Sequence, residues 1–275
     1  MTAGRSNGEF TKSYARWRSR RLGQITDRLE QGLLFNLLES VSGKTLLDVG
    51  CGDAVFALDI ARRGGLVTGL DADPTMIAAA ERRAQHDGLQ LRLIVGRAEN
   101  LPFNDAAFDL VGAVTTLCFV RDAEGAVQEM ARVLKPGGSL VIGELGRWSL
   151  WSAYRRIRGW LGDPTWRRAK FRSATELHNL VAAAGLKVTT TRGAVHYPPC
   201  GIAARLVAPI DLWLGRRVTF GSAFIALSAS NPAGPNREHR PPAAATTPSR
   251  GLREASARRW CLPLRPSRSP VRRVP

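Results

Sequence analysis

The chain has 275 residues, with 40 Lys and Arg against 23 Asp and Glu, a net charge of +17 and a pI near 11.2. That length allows one large domain or two small ones, and 44% hydrophobic content can build a core, which excludes a wholly disordered chain. The pI alone suggests a nucleic-acid or anionic-membrane partner, so the position of the charge matters more than its sum.

The charge is peripheral. Residues 1–23 carry +5, residues 147–172 carry +7 and residues 231–275 carry +8, so the rest of the chain is slightly acidic at −3. Arg outnumbers Lys 35 to 5 beside much Ala, Gly and Pro; GC-rich coding gives that composition and accounts for part of the charge without any partner. The first 21 residues are polar and basic, unlike a secretory signal, and no apolar run approaches the ~18 residues of a membrane span. Cys51, Cys118, Cys200 and Cys261 are scattered, which argues against a zinc site or a disulfide framework. These features predict a soluble cytoplasmic protein with no metal.

In chain order, helical signals fill 11–41, with Leu33, Leu34, Leu37 and Leu38 at helical spacing. Lys44–Gly50 reads as a buried strand, Phe56–Arg63 as a helix, Leu66–Asp71 as a strand and Thr75–His86 as a helix. Leu91–Val95, Phe108–Val114 and Ser139–Glu144 supply three more strands, with a helix over Asp122–Leu134 before the Lys135–Gly138 turn. Thr175–Ala184 is a further helix, and Leu186–Thr191 and Ser222–Ser228 are closing strands. This alternation implies an α/β fold with a mostly parallel sheet covered on both faces. After Asn231 the chain becomes Pro-, Ala-, Ser- and Arg-rich, the composition of a disordered tail.

The most informative stretch is Leu46–Ala57, where a strand runs into Gly50-Cys51-Gly52 and then a helix. Such glycines let the backbone turn sharply and approach a ligand closely. The dinucleotide fingerprint needs a third glycine at position 55, where this chain has Val55, which disfavours a nicotinamide oxidoreductase. Asp71 ends the next strand 19 residues after Gly52, where a carboxylate can accept hydrogen bonds from ribose hydroxyls.

Asp48-Val-Gly-Cys-Gly52, Gly69-Leu-Asp71 with Pro74 and Met76, Gly96–Phe103, Phe108–Val111 and Arg132–Gly138 occur in order. Together they resemble a class I S-adenosylmethionine-dependent methyltransferase of the type 11, small-molecule kind, from about Tyr14 to Ser230. The resemblance implies a Rossmann-like, seven-stranded, mostly parallel sheet with helices on both faces and the last strand antiparallel. It implies S-adenosyl-L-methionine as cofactor, with Gly50, Cys51 and Gly52 under its methionine part. Asp48 would bridge to its amino group and Asp71 to its ribose. Ala72 and Met76 would pack on the adenine, Ala98 would offer it a backbone N–H, and Val114 and Thr115 would line the methionine end. Ala54 and Asp53 depart from the family pattern. So does Arg97, which stands where an acid commonly binds the adenine amino group; Glu99 is the substitute. Cys118-Phe119 occupies the place where the family often has His, so no catalytic His carries over.

The sulfonium of the cofactor already activates the methyl group, so the protein must align a nucleophile and exclude water. A general base is needed only if the acceptor loses a proton. Tyr14, Glu144, His196 and the adjacent Tyr197 are the candidates to face the acceptor, against the plainer readings of helix packing for Tyr14, a strand-end acid for Glu144 and a strand-end histidine for His196. Cys118 reads as a buried apolar residue rather than a nucleophile.

Trp148, Trp151, Tyr154, Ile157 and Leu161 recur three or four apart, with Arg155, Arg156 and Arg158 pointing elsewhere, the pattern of a basic amphipathic helix. A structural helix, a substrate lid built from Trp148, Trp151, Tyr154 and Trp160, and a membrane-surface helix all fit it. The expected organisation is a helical cover over 1–42, a methyltransferase domain over 43–230 with 147–172 as its lid-like segment, and a disordered tail over 231–275. The expected activity is methyl transfer to a small-molecule or lipid-like acceptor, with no obligate protein partner. The alternatives are an RNA methyltransferase using the basic flanks, a peripheral membrane contact through the same segments, and a non-catalytic binding module.

Overall fold

A computed structural model of the chain describes residues 17–38 and 40–232. In chain order the elements are α1 (Arg21–Leu37), β1 (Thr45–Val49), α2 (Val55–Ala61), β2 (Leu66–Asp71), α3 (Pro74–His86), β3 (Arg92–Val95), β4 (Phe108–Val114) and α4 (Ala123–Val133). There follow β5 (Leu134–Leu145), α5 (Leu150–Trp160), α6 (Pro164–Arg168), α7 (Ala174–Ala183), β6 (Lys187–Ala194), α8 (Gly201–Gly215) and β7 (Phe224–Ser230).

The seven strands form one sheet in the order β3-β2-β1-β4-β5-β7-β6. β1 to β5 pair in parallel, and β7 runs antiparallel to both β5 and β6. Central strands read as near-continuous apolar runs because helices cover both faces. One face packs Leu47, Val111, Leu140 and Leu227 against Met130 of α4 and Leu177 of α7. The other packs Leu46, Leu110 and Phe224 against Leu33 and Leu34 of α1 and Phe56 and Ile60 of α2. Local chemistry starts the helices where polar caps stand. Asp73 accepts from Thr75 N–H at 2.9 Å ahead of Pro74, and Ser149 and Ser173 open reciprocal capping boxes.

Three sequence expectations need correction. The helix read over 11–41 is broken at Arg20, whose φ of −79° and ψ of 150° are extended, so α1 starts at Arg21; residues before 17 lie outside the described set. β5 starts at Leu134 rather than Ser139, because Phe108 already pairs with Leu134. α8 was not foreseen, since its start follows Pro198-Pro199 and Pro209 sits inside it, both of which mask a helical pattern. The tail beyond residue 232 lies outside the described residues.

β6 and β5 are both antiparallel to β7, so they run the same way. The loops after β1, β2, β4, β5 and β6 therefore all open on one edge of the sheet, the carboxyl edge. The chain reverses its winding between β1 and β4, and ligands of open α/β sheets bind in the crevice at such a switch point. Among the described residues no helix is long and apolar enough to cross a membrane.

Candidate functional site

Two kinds of local cost gather at the carboxyl edge. Among the described residues four non-glycines have left-handed φ, and three of them stand there: Ala54 after β1 (61°), Thr115 after β4 (54°) and Val195 after β6 (64°). A Cβ makes that region unfavourable by ~1–2 kcal/mol per residue. Among the described residues the buried side-chain atoms without a hydrogen-bond partner are also there: Asp48 Oδ2, Asp73 Oδ2, Glu144 Oε2, Trp151 Nε1 and His196 Nδ1. Strain and unsatisfied polar groups persist where a site requires them.

The first group surrounds the glycine loop. Gly50 and Cys51 N–H both donate to Leu70 O, at 2.7 and 3.0 Å, tying the loop to the end of β2. Gly50 has φ 71°, and a Cβ there would lie 2.5 Å from Thr116 Cγ2. Thr116 is fixed in turn, since its Oγ1 donates to Val49 O at 2.9 Å. Gly52 (φ 54°) has open space where its Cβ would be, and its N–H donates to Asp71 Oδ2 at 2.9 Å. Asp71 Oδ1 accepts from Asp73 N–H at 2.9 Å, so each Asp71 oxygen keeps a lone pair. Burial raises the Asp71 pKa above the usual carboxylate value. Asp48 is buried, and burial together with the nearby Asp71 charge pushes its carboxyl up to about 7. A buried acid, Asp48, beside a half-buried one, Asp71, suits a cationic group. An ammonium fits Asp48 Oδ2, hydroxyls fit Asp71, and the bare face of Gly52 leaves room for a ligand, so these residues fit S-adenosylmethionine.

The adenine-side residues are mixed. Ala72 is exposed, Met76 half-buried and Ala98 buried. Glu99 is tied to Arg97 by an ion pair at 3.0 Å. Asp53 pairs with Arg83 of α3, beside a cavity of about 470 Å³ that the start of α1 lines through Gln24, Asp27 and Arg28. Cys51 is buried, and burial and the neighbouring acids raise its thiol pKa.

The second group surrounds the loop after β4. Val114 and Thr115 are half-buried, and Thr115 N–H donates to Gly143 O at 2.6 Å. The Leu117 peptide is gripped from both sides: its N–H donates to Glu144 Oε1 at 2.6 Å, and its carbonyl accepts from Arg172 at 2.8 Å. Glu144 is fully buried, and burial raises its pKa to about 7 although Arg172 opposes the rise. Cys118 is buried beside Leu145 and Phe171, and burial raises its thiol pKa too. Glu144 thus orients the loop, a role that sequence reading as a strand-end acid did not show.

The third group follows β6. Asp211 of α8, fully buried, accepts from Val195 N–H at 2.7 Å and His196 N–H at 2.8 Å, which holds the strained turn. The His196 ring lies 3.5 Å from Asp211 and 3.1 Å from Val218 O. Burial disfavours its charged form, but those two acceptors outweigh burial and raise its pKa. Tyr197 is buried; Thr26 Oγ1 gives its proton to Leu22 O, so the Tyr197 hydroxyl donates to Thr26 Oγ1 at 2.9 Å. Burial raises the Tyr197 pKa to about 12. Asp211 and Thr26 escaped sequence analysis because only the tertiary fold joins α8 and α1 to this turn; Tyr197, expected to face the acceptor, turns its hydroxyl to Thr26. Tyr14 lies outside the described residues.

The helix face read from 148–161 is corrected. Trp151 and Arg155 point inward, with the Arg155 guanidinium 5.2 Å from the Trp151 ring centre and 5.0 Å from that of Trp166. Trp17 packs edge-on to Trp151 at 6.2 Å. Trp148, Tyr154 and Trp160 face solvent. Arg147 pairs with Glu176 at 2.8 Å and Arg158 with Asp163 at 2.7 Å. A cavity of about 970 Å³ beside α5 and α6 is lined by Arg156, Arg167, Lys170, Trp160 and Phe171 among others, but by none of the glycine loop. No group of metal-binding side chains occurs among the described residues.

A family profile described as a methyltransferase domain matches residues 47–142, which run from the glycine loop through β5. An uncharacterized protein of Mycobacterium tuberculosis is 32% identical over 241 residues, covering 88% of this chain and 79% of its own. A ubiquinone biosynthesis O-methyltransferase of Methylobacterium is 32% identical over 168 residues, covering 59% of this chain and 68% of its own. In fold, a crystal structure of a SAM-dependent methyltransferase from Thermotoga maritima, titled a possible histamine N-methyltransferase, superposes with TM-score 0.61 at 24% identity, covering 81% of this chain and 97% of that one. The strand order, the acid-flanked glycine loop and relatives of this identity and coverage leave one assignment: the chain belongs to the class I S-adenosylmethionine-dependent methyltransferases, and S-adenosylmethionine is its cofactor.

Proposed function

We propose that this methyltransferase acts on a small, largely apolar or aromatic acceptor of the quinone-precursor or lipid-like class. The observation that carries the reading is the makeup of the carboxyl edge beyond β4, β5 and β6. Its fixed side chains are Trp151, Phe171, Tyr197, Leu117 and Leu145, and its buried acid Glu144 is engaged in holding the loop. Relatives named for ubiquinone biosynthesis and for demethylmenaquinone methylation support it.

In this reading Asp48 holds the cofactor amino group, Gly50, Cys51 and Gly52 pass beneath its methionine part, and Asp71 takes the ribose hydroxyls. Ala72, Met76, Ala98 and Glu99 flank the adenine, and Val114 and Thr115 border the methyl end. The bound cofactor supplies an electrophilic methyl group. The chain supplies alignment and water exclusion, worth up to about 7–11 kcal/mol of barrier when geometry is optimal. Glu144 and Arg172 keep the Leu117 peptide in place. The division into a cover over 1–42 and a catalytic body over 43–230, and a cytoplasmic setting, belong to the same proposal.

The test is transfer of labelled methyl from S-adenosylmethionine to fractionated extract, with products identified by mass. Label in a small organic-soluble product supports the reading. Label confined to RNA would overturn it in favour of the nucleic-acid alternative.

A further inference from the structure

Two helices of the carboxyl edge present an apolar stripe to solvent, α8 in addition to the apolar face (Ala204, Val207, Ala208, Leu212) that it packs on the core. α5 buries Trp151, Ser152, Arg155 and Gly159 and turns Leu150, Tyr154, Ile157 and Leu161 to solvent, at 62%, 46%, 54% and 77% exposure. α8 buries Ala204, Asp211 and Gly215 and exposes Ile202, Leu206, Ile210 and Trp213, at 72%, 75%, 55% and 57%. Both sets recur at helical spacing, so each is a continuous apolar stripe. A helix of a water-soluble face shows the reverse arrangement, and contiguous exposed apolar surface of this kind marks an interaction site.

The stripes belong to one region of the molecule. α5 follows β5 and α8 follows β6, two strands whose carboxyl ends share an edge. Trp151 of α5 and Ala204 of α8 lie in the same core cluster. Internal contacts fix α8 through the Asp211 clamp on 195–196 and through Gly215, where a Cβ would collide with Gly193 O, and fix α5 through buried Trp151 and Arg155. The apolar stripes are therefore held outward rather than left over.

Cations flank them. Arg205 is exposed between Ile202 and Leu206, and Arg216 and Arg217 follow Trp213. Beside α5, Arg156, Arg167 and Lys170 line the cavity of about 970 Å³ and have no carboxylate partner within ion-pair distance among the described residues. An apolar stripe alone would fit lipid or a second copy of this chain. A two-fold contact sets the same patch against itself and so brings like-charged rims together, whereas an anionic bilayer meets both the stripe and the rim.

We infer that the α5 and α8 stripes, Leu150–Leu161 and Ile202–Trp213, dock the carboxyl edge onto the surface of an anionic phospholipid bilayer, with the Arg residues at the headgroups. The inference does not rest on the identity of the acceptor, and its readout involves no methyl transfer. The experiment is co-sedimentation of the full chain with vesicles of phosphatidylcholine alone and of phosphatidylcholine with about one third phosphatidylglycerol. Variants Leu206→Asp/Trp213→Asp and Ile157→Asp/Leu161→Asp are compared, with cofactor binding by calorimetry as the check that they fold. The wild type is expected to partition to the anionic vesicles and to lose that binding in high salt, and each pair of substitutions to weaken it at least about tenfold. Equal partitioning of wild type and variants would assign the attraction to the basic chain ends and overturn the inference. So would no partitioning of the wild type, or a lipid-free dimer in sedimentation equilibrium that Leu206→Asp dissociates.

Discussion

Replacing Gly50 by Ala tests the geometry of the glycine loop most directly. The residue has φ 71°, so any Cβ costs ~1–2 kcal/mol of backbone strain. The new methyl would also stand 2.5 Å from Thr116 Cγ2 and 3.0 Å from its Cβ. Thr116 cannot swing away cheaply, because its hydroxyl donates to Val49 O and lies 3.2 Å from Val114 O. Displacing it leaves a buried carbonyl or hydroxyl unsatisfied, at ~1–3 kcal/mol. The sum is about 2–5 kcal/mol, a large share of a typical folding free energy. For a chain of this size that lowers Tm by roughly 4–20 °C. Gly52→Ala is the control: its φ is 54° but no atom lies within 4 Å of the added methyl, so about 1–2 kcal/mol is expected, with the loss appearing in cofactor affinity instead. Thr116→Ala should rescue Gly50→Ala in part, giving a double-mutant coupling of about 1–2 kcal/mol by urea denaturation. Additivity within about 0.5 kcal/mol, or a Gly50→Ala variant no less stable than Gly52→Ala, would refute the argument.

Three further outcomes follow from the same contacts. Asp71→Ala removes the carboxylate that holds Gly52 N–H and keeps spare lone pairs, so calorimetry should show cofactor affinity reduced by about 1–3 kcal/mol, roughly 5- to 150-fold; unchanged affinity would displace the ribose assignment. Glu144 has a folded pKa of about 7 against an unfolded value of 4.5. The folded state therefore keeps a proton that the unfolded chain has lost, and stability falls as pH rises from 4.5 to about 7 and levels off above. Linkage puts the loss at about 3 kcal/mol, and Glu144→Gln should remove that part of the slope, so the variant gains on the wild type between pH 5 and pH 8 in urea titrations; parallel pH profiles would show that Glu144 does not titrate in this window. Ala54→Gly relieves a φ of 61° but adds unfolded-state entropy and deletes a buried methyl, so its Tm change should correspond to no more than about 1 kcal/mol either way; a large loss would mean that the Ala54 methyl packs better than its backbone suffers.

The strands of the sheet and the glycine loop were legible from local pattern. Leu46 to Gly52 and Leu66 to Asp71 are short apolar runs ended by Gly or acid, Phe108 to Val114 is one that runs into Thr115-Thr116, and buried parallel strands leave little freedom in how such runs are used. Asp48, Gly50, Gly52 and Asp71 were legible because they lie within or beside those strands, so their separation in sequence fixes their meeting in space. The contacts beyond β4, β5 and β6 come from long-range packing that local pattern does not carry. Glu144 reads as an ordinary strand-end acid until Leu117, 27 residues earlier, is seen donating to it. Tyr197 finds Thr26 across 171 residues, and Asp211 clamps a turn that local pattern gives no reason to expect. The faces of α5 and α8 show the same limit in another form. Periodicity locates an apolar stripe on a helix, but whether that stripe points inward depends on what the neighbouring elements have left to bury. Here Arg155, packed against Trp151 and Trp166, takes an inward place on α5, and the Asp211 clamp with Val207, Ala208 and Leu212 takes those of α8, which holds both stripes outward.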